Sequence, residues 1–262
     1  FLEYYYKAFP HKFINCYVAE QLMASVAVAL DKRNKIPLMS TFCAFLSRCF
    51  DQIRINAISG GNVKYYSSHC GCHIGEDGAS QMGLEDIAMF RTVPGMVVLC
   101  PSDPISTANC AMLAMNSKSS VYVRTSRNAI DYIYSDDHKF EIGKLNVIRK
   151  SEKDVLTLIS HGMTIPECLS AQKTLESEGI NVRVIDLFSI KPIDQEGLIK
   201  NISETNKLAI VIEDHYLEGG AAEAVRSAVS EEGFRVINYG VTSVPRSGKP
   251  TELYDLYQIS SK

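Results

Sequence analysis

One carboxylate, Glu20, lies inside a strongly apolar stretch of this sequence. Residues 13–18 have the composition of a short buried strand, and residues 20–30 that of a helix with apolar residues on every face. An acid at such a junction is either a solvated charge that complements the helix dipole or a carboxyl group buried for a chemical purpose. The local pattern alone favours the solvated charge, because glutamate is rarely fully buried.

A second polar group of residues, at 68–80, combines glycines with histidines, cysteines and acids, among them His69 and Asp77. One residue separates Cys70 from Cys72, whereas a zinc knuckle has two between its cysteines, and no second ligand pair follows. We therefore predict no metal site in this segment. Arg127 follows a later apolar segment and is the third candidate for chemistry.

Around these residues, apolar segments alternate with segments of helical periodicity. In the first half we predict strands at residues 13–18, 36–40, 63–67, 96–100 and 121–124, and helices at 1–7, 20–30, 42–58, 84–91 and 105–116. In the second half we predict strands at 155–159, 182–187, 208–213 and 234–239, and helices at 166–178, 194–206, 220–231 and from 253 onwards.

A polar segment at residues 128–143 separates the two series. We therefore predict an α/β protein of two domains, residues 1–134 and 135–262, each a mostly parallel sheet flanked by helices. Ligands of open α/β sheets bind beyond the carboxyl ends of the strands. Because Glu20, the 68–80 segment and Arg127 follow the first, third and fifth predicted strands, we expect them to meet at one sheet edge.

The composition argues against several classes of protein. The net charge is -3 without a basic run, so nothing indicates nucleic-acid binding, and no apolar segment approaches the roughly 20 residues of a membrane helix. The eight cysteines lack the spacing of a disulfide framework, which predicts reduced thiols and a cytoplasmic location. The first residues have neither a Met nor a signal-peptide pattern and are typical of an internal segment.

An ordered series of motifs resembles the transketolase family over nearly the whole chain. The series comprises Ala19-Glu20-Gln21, the segments 40–45, 50–54, 68–71, 75–82, 84–86, 101–103 and 124–127, and in the second half 191–192, 213–215, 218–220 and 244–250. Each motif alone is weak, but their common order is specific. The resemblance covers the last two of three transketolase domains, namely the pyrimidine-binding domain and the C-terminal domain.

The resemblance implies transfer of a two-carbon ketol unit from a ketose phosphate to an aldose phosphate, in the pentose phosphate pathway, with thiamine diphosphate as cofactor. In this family a carboxyl group hydrogen-bonds to a nitrogen of the cofactor's aminopyrimidine, and a dry site favours its protonated form. Glu20 matches this catalytic glutamate. The resemblance thus reverses the local preference for a solvated charge.

Three further residues match positions that hold the cofactor. Phe42 and Phe45 match aromatic residues that pack against the aminopyrimidine, with Phe45 at the stacking position, and Gln81 matches a residue near its amino group. Helical spacing alone would also explain the phenylalanines as ordinary core, and a local bond at a helix start would explain Gln81.

Three other residues match substrate-binding positions. His69 and Asp77 match residues that contact the sugar, and Arg127 matches a phosphate-binding arginine, whose planar fork suits phosphate. Without the resemblance, His69 would be a solvated loop residue and Arg127 a partner in a surface ion pair. We assign no catalysis to the cluster at 213–220.

The family's first domain grips the diphosphate and supplies the ligands for magnesium or calcium. This sequence shows no counterpart, so we expect no metal ligand here, half of an active site, and little or no activity of the chain alone. The expected partners are sugar phosphates and either a second copy, as a homodimer, or a full-length subunit.

Two alternatives remain. The beta subunit of a thiamine-dependent 2-oxoacid dehydrogenase has the same two-domain layout, although residues 75–81 and Arg127 fit sugar phosphates better. The other alternative is a non-catalytic fragment that dimerises, or that pairs with full-length subunits and modulates them.

Overall fold

Strands and helices alternate along both halves of the chain. The computed structural model describes residues 2–262, so Phe1, at the start of the first predicted helix, lies outside the described residues. The first half contains helices α1 (Leu2–Ala8), α2 (Glu20–Asp31), α3 (Phe50–Ile58), α4 (Asp86–Thr92) and α5 (Pro104–Asn116), and strands β1 (Leu38–Phe42), β2 (Lys64–Ser68), β3 (Val97–Leu99) and β4 (Val121–Arg124).

The second half continues the alternation and adds short strands that the sequence does not predict. Its strands are β5 (Asn146–Arg149), β6 (Leu156–Ser160), β7 (Val182–Asp186), β8 (Ser189–Lys191), β9 (Leu208–Tyr216) and β10 (Arg235–Val241). Its helices are α6 (Ile165–Ser177), α7 (Gln195–Ser203), α8 (Ala221–Ala228) and α9 (Pro250–Leu256). The unpredicted strands are short and antiparallel to their neighbours: β5 has four residues and pairs with β7, and β8 has three and pairs with β3.

Within residues 2–262 the strands form two sheets, in the orders β1-β2-β4-β3-β8 and β10-β9-β6-β7-β5. All neighbours pair in parallel except the two short strands. The prediction of two α/β domains with mostly parallel sheets is therefore confirmed. Strand β8 follows β7 in the chain yet pairs with β3, so the second half of the chain contributes one edge strand to the first sheet.

Strand β3 and the first three residues of β4 are apolar and covered on both faces. Residues Val98, Leu99, Tyr122 and Val123 have no exposed surface, as parallel strands do when helices cover both faces. Within residues 2–262, every helix is too short or too polar to span a bilayer.

The predicted first strand, at residues 13–18, is wrong. The segment is irregular; Tyr17 has a left-handed backbone (φ 53°), and its N–H is bonded to the Asn15 side chain at 2.9 Å. A left-handed residue interrupts an extended run, and the Asn side chain replaces a strand neighbour as hydrogen-bond acceptor. The segment remains apolar but open, since Tyr17 and Val18 are each 84% exposed.

Two predicted helices also differ in detail. The helix predicted at 42–58 begins as a 3-10 helix, Cys43–Cys49, and becomes α-helical only in α3. Helix α2 was expected to be apolar and dry on all faces, but its buried residues are Glu20, Ala24 and Ala27, and Leu22 is 57% exposed.

Candidate active site

The carboxyl ends of β1, β2 and β4 lie side by side. The parallel register pairs Phe42 with Ser68 and Ser67 with Arg124. The residues that follow these three strands therefore leave the sheet at the same edge, as expected. They include the start of the 3-10 helix Cys43–Cys49, the loop 69–83 and Arg127.

Glu20 is the first residue of α2 and is buried, with 5% of its surface exposed. Its Oε2 accepts a hydrogen bond from Arg48 Nη1 at 3.1 Å, which is also an ion pair. The solvated-charge interpretation does not fit this burial. Glu20 follows an irregular segment rather than a strand, and it reaches the sheet edge because α2 packs against the 3-10 helix.

Phe42, the extended residue that precedes the 3-10 helix Cys43–Cys49, forms one column with Phe45 and Arg48 of that helix. In a 3-10 helix the side chains at i and i+3 eclipse each other, and these residues are spaced by three. The rings of Phe42 and Phe45 stack with centroids 5.2 Å apart and planes at 19°. The Arg48 guanidinium carbon lies 4.5 Å from the Phe45 centroid. The sequence analysis missed Arg48; its three-residue spacing from Phe45 was the available signal.

His69 connects this column to the polar loop. It has a left-handed backbone (φ 63°), and its ring stacks on Phe42 with centroids 3.5 Å apart and planes at 16°. Its Nδ1 is 2.9 Å from Ser68 Oγ. Burial lowers the pKa of His69, while Asp77 opposes the shift and Arg127 adds to it, so the ring is held mainly in its neutral form at pH 7.

Asp77 and Arg127 meet at the outer side of the loop. Arg127 Nη1 donates to Asp77 Oδ2 at 2.7 Å, and the same oxygen is 3.7 Å from His69 Nε2. The side chains of Asp77 and Arg127 are 31% and 50% exposed. The arrangement presents a cation, a carboxylate and an imidazole to solvent beside the aromatic column.

Gln81 is the predicted site residue that these contacts do not include. Its backbone N–H donates to Gly78 O at 3.0 Å, and within residues 2–262 its half-buried side chain makes no hydrogen bond. It lies two residues before Gly83, whose N–H donates to His69 O at 3.1 Å.

A carboxylate from the second half of the chain, Asp214, binds the backbone of the loop 69–83. Asp214, in β9, accepts hydrogen bonds from the backbone N–H groups of Cys72 and His73 at 2.7 and 3.1 Å, and from Tyr254 Oη at 2.9 Å. Gly71 has a left-handed backbone (φ 78°), and a Cβ there would overlap the Asp214 carboxylate. The contact crosses from one half of the chain to the other, so local sequence pattern could not reveal it.

A buried ion pair lies beneath the site. Arg124 Nε donates to Asp86 Oδ2 at 2.7 Å, and Tyr122 Oη donates to the same oxygen at 2.6 Å. Burial opposes ionisation of Asp86, but the charges of Arg124 and His215 and the hydrogen bonds from Arg124 and Tyr122 together outweigh burial and lower the pKa of the carboxyl group. Ligand atoms of Cys43, Cys70 and Asp86 lie within 4.8 Å of one another. Because the Arg124 guanidinium already balances the charge of Asp86, the carboxylate has no net charge left to attract a metal cation.

Family models match both halves of the chain. Residues 1–131 match the model described as "Transketolase, pyrimidine binding domain". Residues 143–262 match the model described as "Transketolase, C-terminal domain".

Curated relatives cover the chain from end to end. It is 47% identical over 264 residues to transketolase-like protein 2 of Mus musculus, which is 100% of this chain and 42% of the relative. It is 47% identical over 261 residues to the transketolase of Homo sapiens, which is 99% of this chain and 42% of that protein. The chain therefore spans less than half the length of these relatives.

Solved structures share the fold. A protein described as "Split gene transketolase, inactive beta4 tetramer" is 35% identical, with a TM-score of 0.90, over 97% of this chain and 82% of that one. The transketolase of Leishmania mexicana is 22% identical, with a TM-score of 0.76, over 92% of this chain and 35% of that one. The second likeness concerns the fold alone.

Proposed function

The chain belongs to the transketolase family, and on that basis we propose that it carries half of a site for thiamine-diphosphate-dependent ketol transfer. This half holds the aminopyrimidine ring of the cofactor and the sugar-phosphate substrate. The reaction moves a two-carbon ketol unit from a ketose phosphate to an aldose phosphate, as in the pentose phosphate pathway.

One observation carries the proposal: a continuous series of contacts joins the predicted cofactor residues to the predicted substrate residues. The series runs Glu20, Arg48, Phe45, Phe42, His69, Asp77 and Arg127. Six of the seven predicted site residues belong to it, although they come from four separate segments of the chain. An ordinary core cluster would not combine a buried carboxyl group, stacked aromatic rings and an exposed arginine–aspartate pair.

The residues at the buried end fit an aminopyrimidine. Phe45 and Phe42 offer flat aromatic surface, and Glu20 is a buried carboxyl group that contacts the same Arg48 guanidinium as Phe45 does. A stacking surface and a carboxyl group suit a planar ring with basic nitrogens. Thiamine diphosphate supplies the carbon nucleophile and the electron sink that ketol transfer requires. In this proposal Glu20 holds a proton towards the ring nitrogen, the phenylalanines orient the ring and exclude water, and Gln81 lies near the ring's amino group.

The residues at the exposed end fit a sugar phosphate. Arg127 binds the phosphate through its guanidinium fork, and Asp77 accepts a hydrogen bond from a sugar hydroxyl. His69 contacts the sugar where the two ends of the site meet. Asp77 and Arg127 are paired in the chain as it stands, so phosphate binding exchanges one partner of Arg127 for another.

We propose that the diphosphate grip and the magnesium or calcium ligands come from residues outside these 262, so that this chain alone is inactive or nearly so. Two findings support this: the chain spans 42% of its human relative, and a 35% identical structure is described as an inactive tetramer. The partner is a second copy or a full-length subunit. All eight cysteines are free thiols, which fits the reducing cytoplasm.

The test is turnover of a reconstituted site. The chain is mixed with the diphosphate-binding segment of a related transketolase, thiamine diphosphate and magnesium, and assayed with a ketose phosphate plus ribose 5-phosphate, or with a 2-oxoacid. We expect turnover of the sugars only, and a loss of about 100-fold or more in Glu20→Gln, because Glu20 is the proposed proton-holding group.

The matched control is Glu196→Gln, an exposed glutamate in α7 that should leave turnover unchanged. Turnover of the 2-oxoacid would favour the dehydrogenase alternative, and full activity of Glu20→Gln would remove Glu20 from the mechanism. Activity of the chain without the added segment would contradict the half-site proposal.

A further inference from the structure

The two groups that the proposed function reserves for the cofactor's ring are both occupied by a side chain of this chain. Arg48 Nη1 donates to Glu20 Oε2 at 3.1 Å, and the Arg48 guanidinium carbon lies 4.5 Å from the centroid of the Phe45 ring. Glu20 is the proposed partner of the ring nitrogen and Phe45 the proposed stacking surface. One flat cation therefore contacts both.

The position of Arg48 over Phe45 follows from the backbone geometry of the 3-10 helix Cys43–Cys49. Phe42, Phe45 and Arg48 repeat every three residues along the 3-10 helix Cys43–Cys49 and its first flanking residue, and such residues lie above one another. Phe42 is stacked on His69 at one end of this column. Arg48 is the next side chain beyond Phe45 at the other end.

The chemistry of guanidinium resembles that of the ring it would replace. It is planar, it stacks on aromatic faces, and its N–H groups donate to carboxylates. An aminopyrimidine between Phe45 and Glu20 would use the same stacking surface and the same carboxyl group, which would then hold a proton towards the ring nitrogen. The two groups therefore compete for one place.

We propose that Arg48 is an internal competitor of the aminopyrimidine, which covers Phe45 and neutralises Glu20 until the ring displaces it. This inference rests on the proposed function, because it takes Glu20 and Phe45 as the ring's partners. The Arg48 side chain is 48% exposed, and within residues 2–262 its guanidinium makes no other hydrogen bond or ion pair. It is thus free to swing into solvent.

Displacement is feasible because both contacts are weak. A partly exposed ion pair and an exposed cation–π contact together weaken ring binding by about tenfold. A cover of this strength does not prevent binding of a cofactor that is also held by its diphosphate. It keeps the hydrophobic ring site closed and the Glu20 charge paired while no cofactor is present.

The experiment measures binding of the ring alone, using 4-amino-2-methylpyrimidine and ligand-observed NMR on the 262-residue chain. Arg48→Met keeps the apolar stem but removes the charge and the planar head. We expect Arg48→Met to bind the probe about tenfold more tightly than the parent chain. A residue with a merely structural role would weaken binding or leave it unchanged when replaced.

The matched control is Arg54→Met. Arg54 is 46% exposed and is paired with Asp51 at 3.0 Å on α3, so it has similar exposure and charge but lies away from Glu20. We expect its probe affinity to equal that of the parent. Phe45→Ala, combined with Arg48→Met, should abolish the gain, because the stacking surface is then missing.

Equal affinity of the parent and Arg48→Met overturns the inference, and so does weaker binding by Arg48→Met, which would make Arg48 a ligand of the ring. Absence of binding to every variant also overturns it, since uncovering Phe45 would then create no ring site. The proposed function is judged separately, by the Glu20→Gln turnover assay, whose outcome does not depend on whether Arg48 competes with the ring.

Discussion

At the level of single residues, the exposed end of the candidate site consists of three electrostatically coupled side chains. Asp77 Oδ2 lies 2.7 Å from Arg127 Nη1 and 3.7 Å from His69 Nε2. Burial lowers the pKa of His69, the Asp77 carboxylate raises it, and the Arg127 guanidinium lowers it. The pKa of His69 therefore depends on the charges of both Asp77 and Arg127.

Two substitutions should therefore move the His69 pKa in opposite directions. Asp77→Asn removes the raising charge, so the pKa should fall further below its ordinary value. Arg127→Met removes a lowering charge and leaves Asp77 unpaired, so the pKa should rise. The measurement is an NMR titration of the His69 ring protons in the parent and both variants.

Glu76→Gln serves as the control for this titration, because Glu76 is an exposed neighbour of Asp77 that does not contribute to the His69 shift. A His69 pKa that is the same in all four proteins would mean that the three side chains do not meet in solution. The substrate half of the proposed site would then lose its geometric basis.

At the scale of elements, the site loop depends on a strand of the other sheet. Asp214 belongs to β9, yet it binds the first two N–H groups of the 3-10 helix Cys72–Asp77. Acceptors at a helix start satisfy donors that otherwise lack partners. The loop that carries Asp77 is thereby fixed to the second half of the chain, which gives that half a positioning role in the proposed site.

Replacement of Asp214 by alanine should loosen this loop. The change leaves two backbone donors and the Tyr254 hydroxyl without an acceptor, which should lower the free energy of unfolding by about 2–4 kcal/mol. Hydrogen exchange should accelerate at the amides of residues 71–78, measured by mass spectrometry or NMR. Asp51→Ala, at a side chain that is 73% exposed, should change neither quantity.

Unaltered exchange at residues 71–78 in Asp214→Ala would show that the loop is held by its own turns. The glycines argue against that outcome. Gly71 is left-handed and has no room for a Cβ beside Asp214, so the loop is shaped around this carboxylate.

At the scale of the whole molecule, a buried acid joins the two halves. Asp186, at the end of β7, accepts from Ser102 Oγ at 2.9 Å and from Tyr134 Oη at 2.7 Å. Burial raises the pKa of Asp186 to about 7. Ser102 lies in the first half and Tyr134 in the connecting segment. The protonation state of Asp186 therefore affects the hydrogen bonds that join the two halves.

The contribution of Asp186 to the free energy of unfolding should therefore fall as pH rises towards 7. An unfolded aspartate loses its proton near pH 3.9, whereas Asp186 in the folded chain keeps it up to about pH 7. Between these values the folded state binds one proton more, so raising the pH favours unfolding. Asp186→Asn cannot lose a proton, and its stability relative to the parent should improve by about 1 kcal/mol per pH unit from pH 4.5 to 7.

Denaturant unfolding at a series of pH values provides the measurement. Asp136→Asn, an exposed aspartate close to Tyr134 in sequence, should differ from the parent by the same small amount at every pH. A parallel, pH-independent offset for Asp186→Asn would mean that Asp186 is already ionised in the folded state at pH 4.5.

The fold class, the family and most helices and strands are predictable from the amino-acid sequence. The prediction for residues 121–124 coincides with β4, and that for 105–116 lies within α5. Such segments are predictable because a strand covered on both faces needs a continuous apolar run, and a helix on the sheet needs apolar residues at helical spacing. The ordered motifs likewise reflect local sequence, so the transketolase resemblance did not require coordinates.

The contacts between distant segments became known from the three-dimensional structure. Residues 13–18 are apolar, but Tyr17 takes a left-handed backbone, and no strand forms there. Arg48 is 28 residues from Glu20 in the sequence, and Asp214 is 142 residues from Cys72, yet each pair is hydrogen-bonded. Strand β8 pairs with β3, although the other four strands of that sheet all precede residue 125. These contacts depend on the path of the whole chain, which no local period or composition records, because they form only after the sheets have assembled.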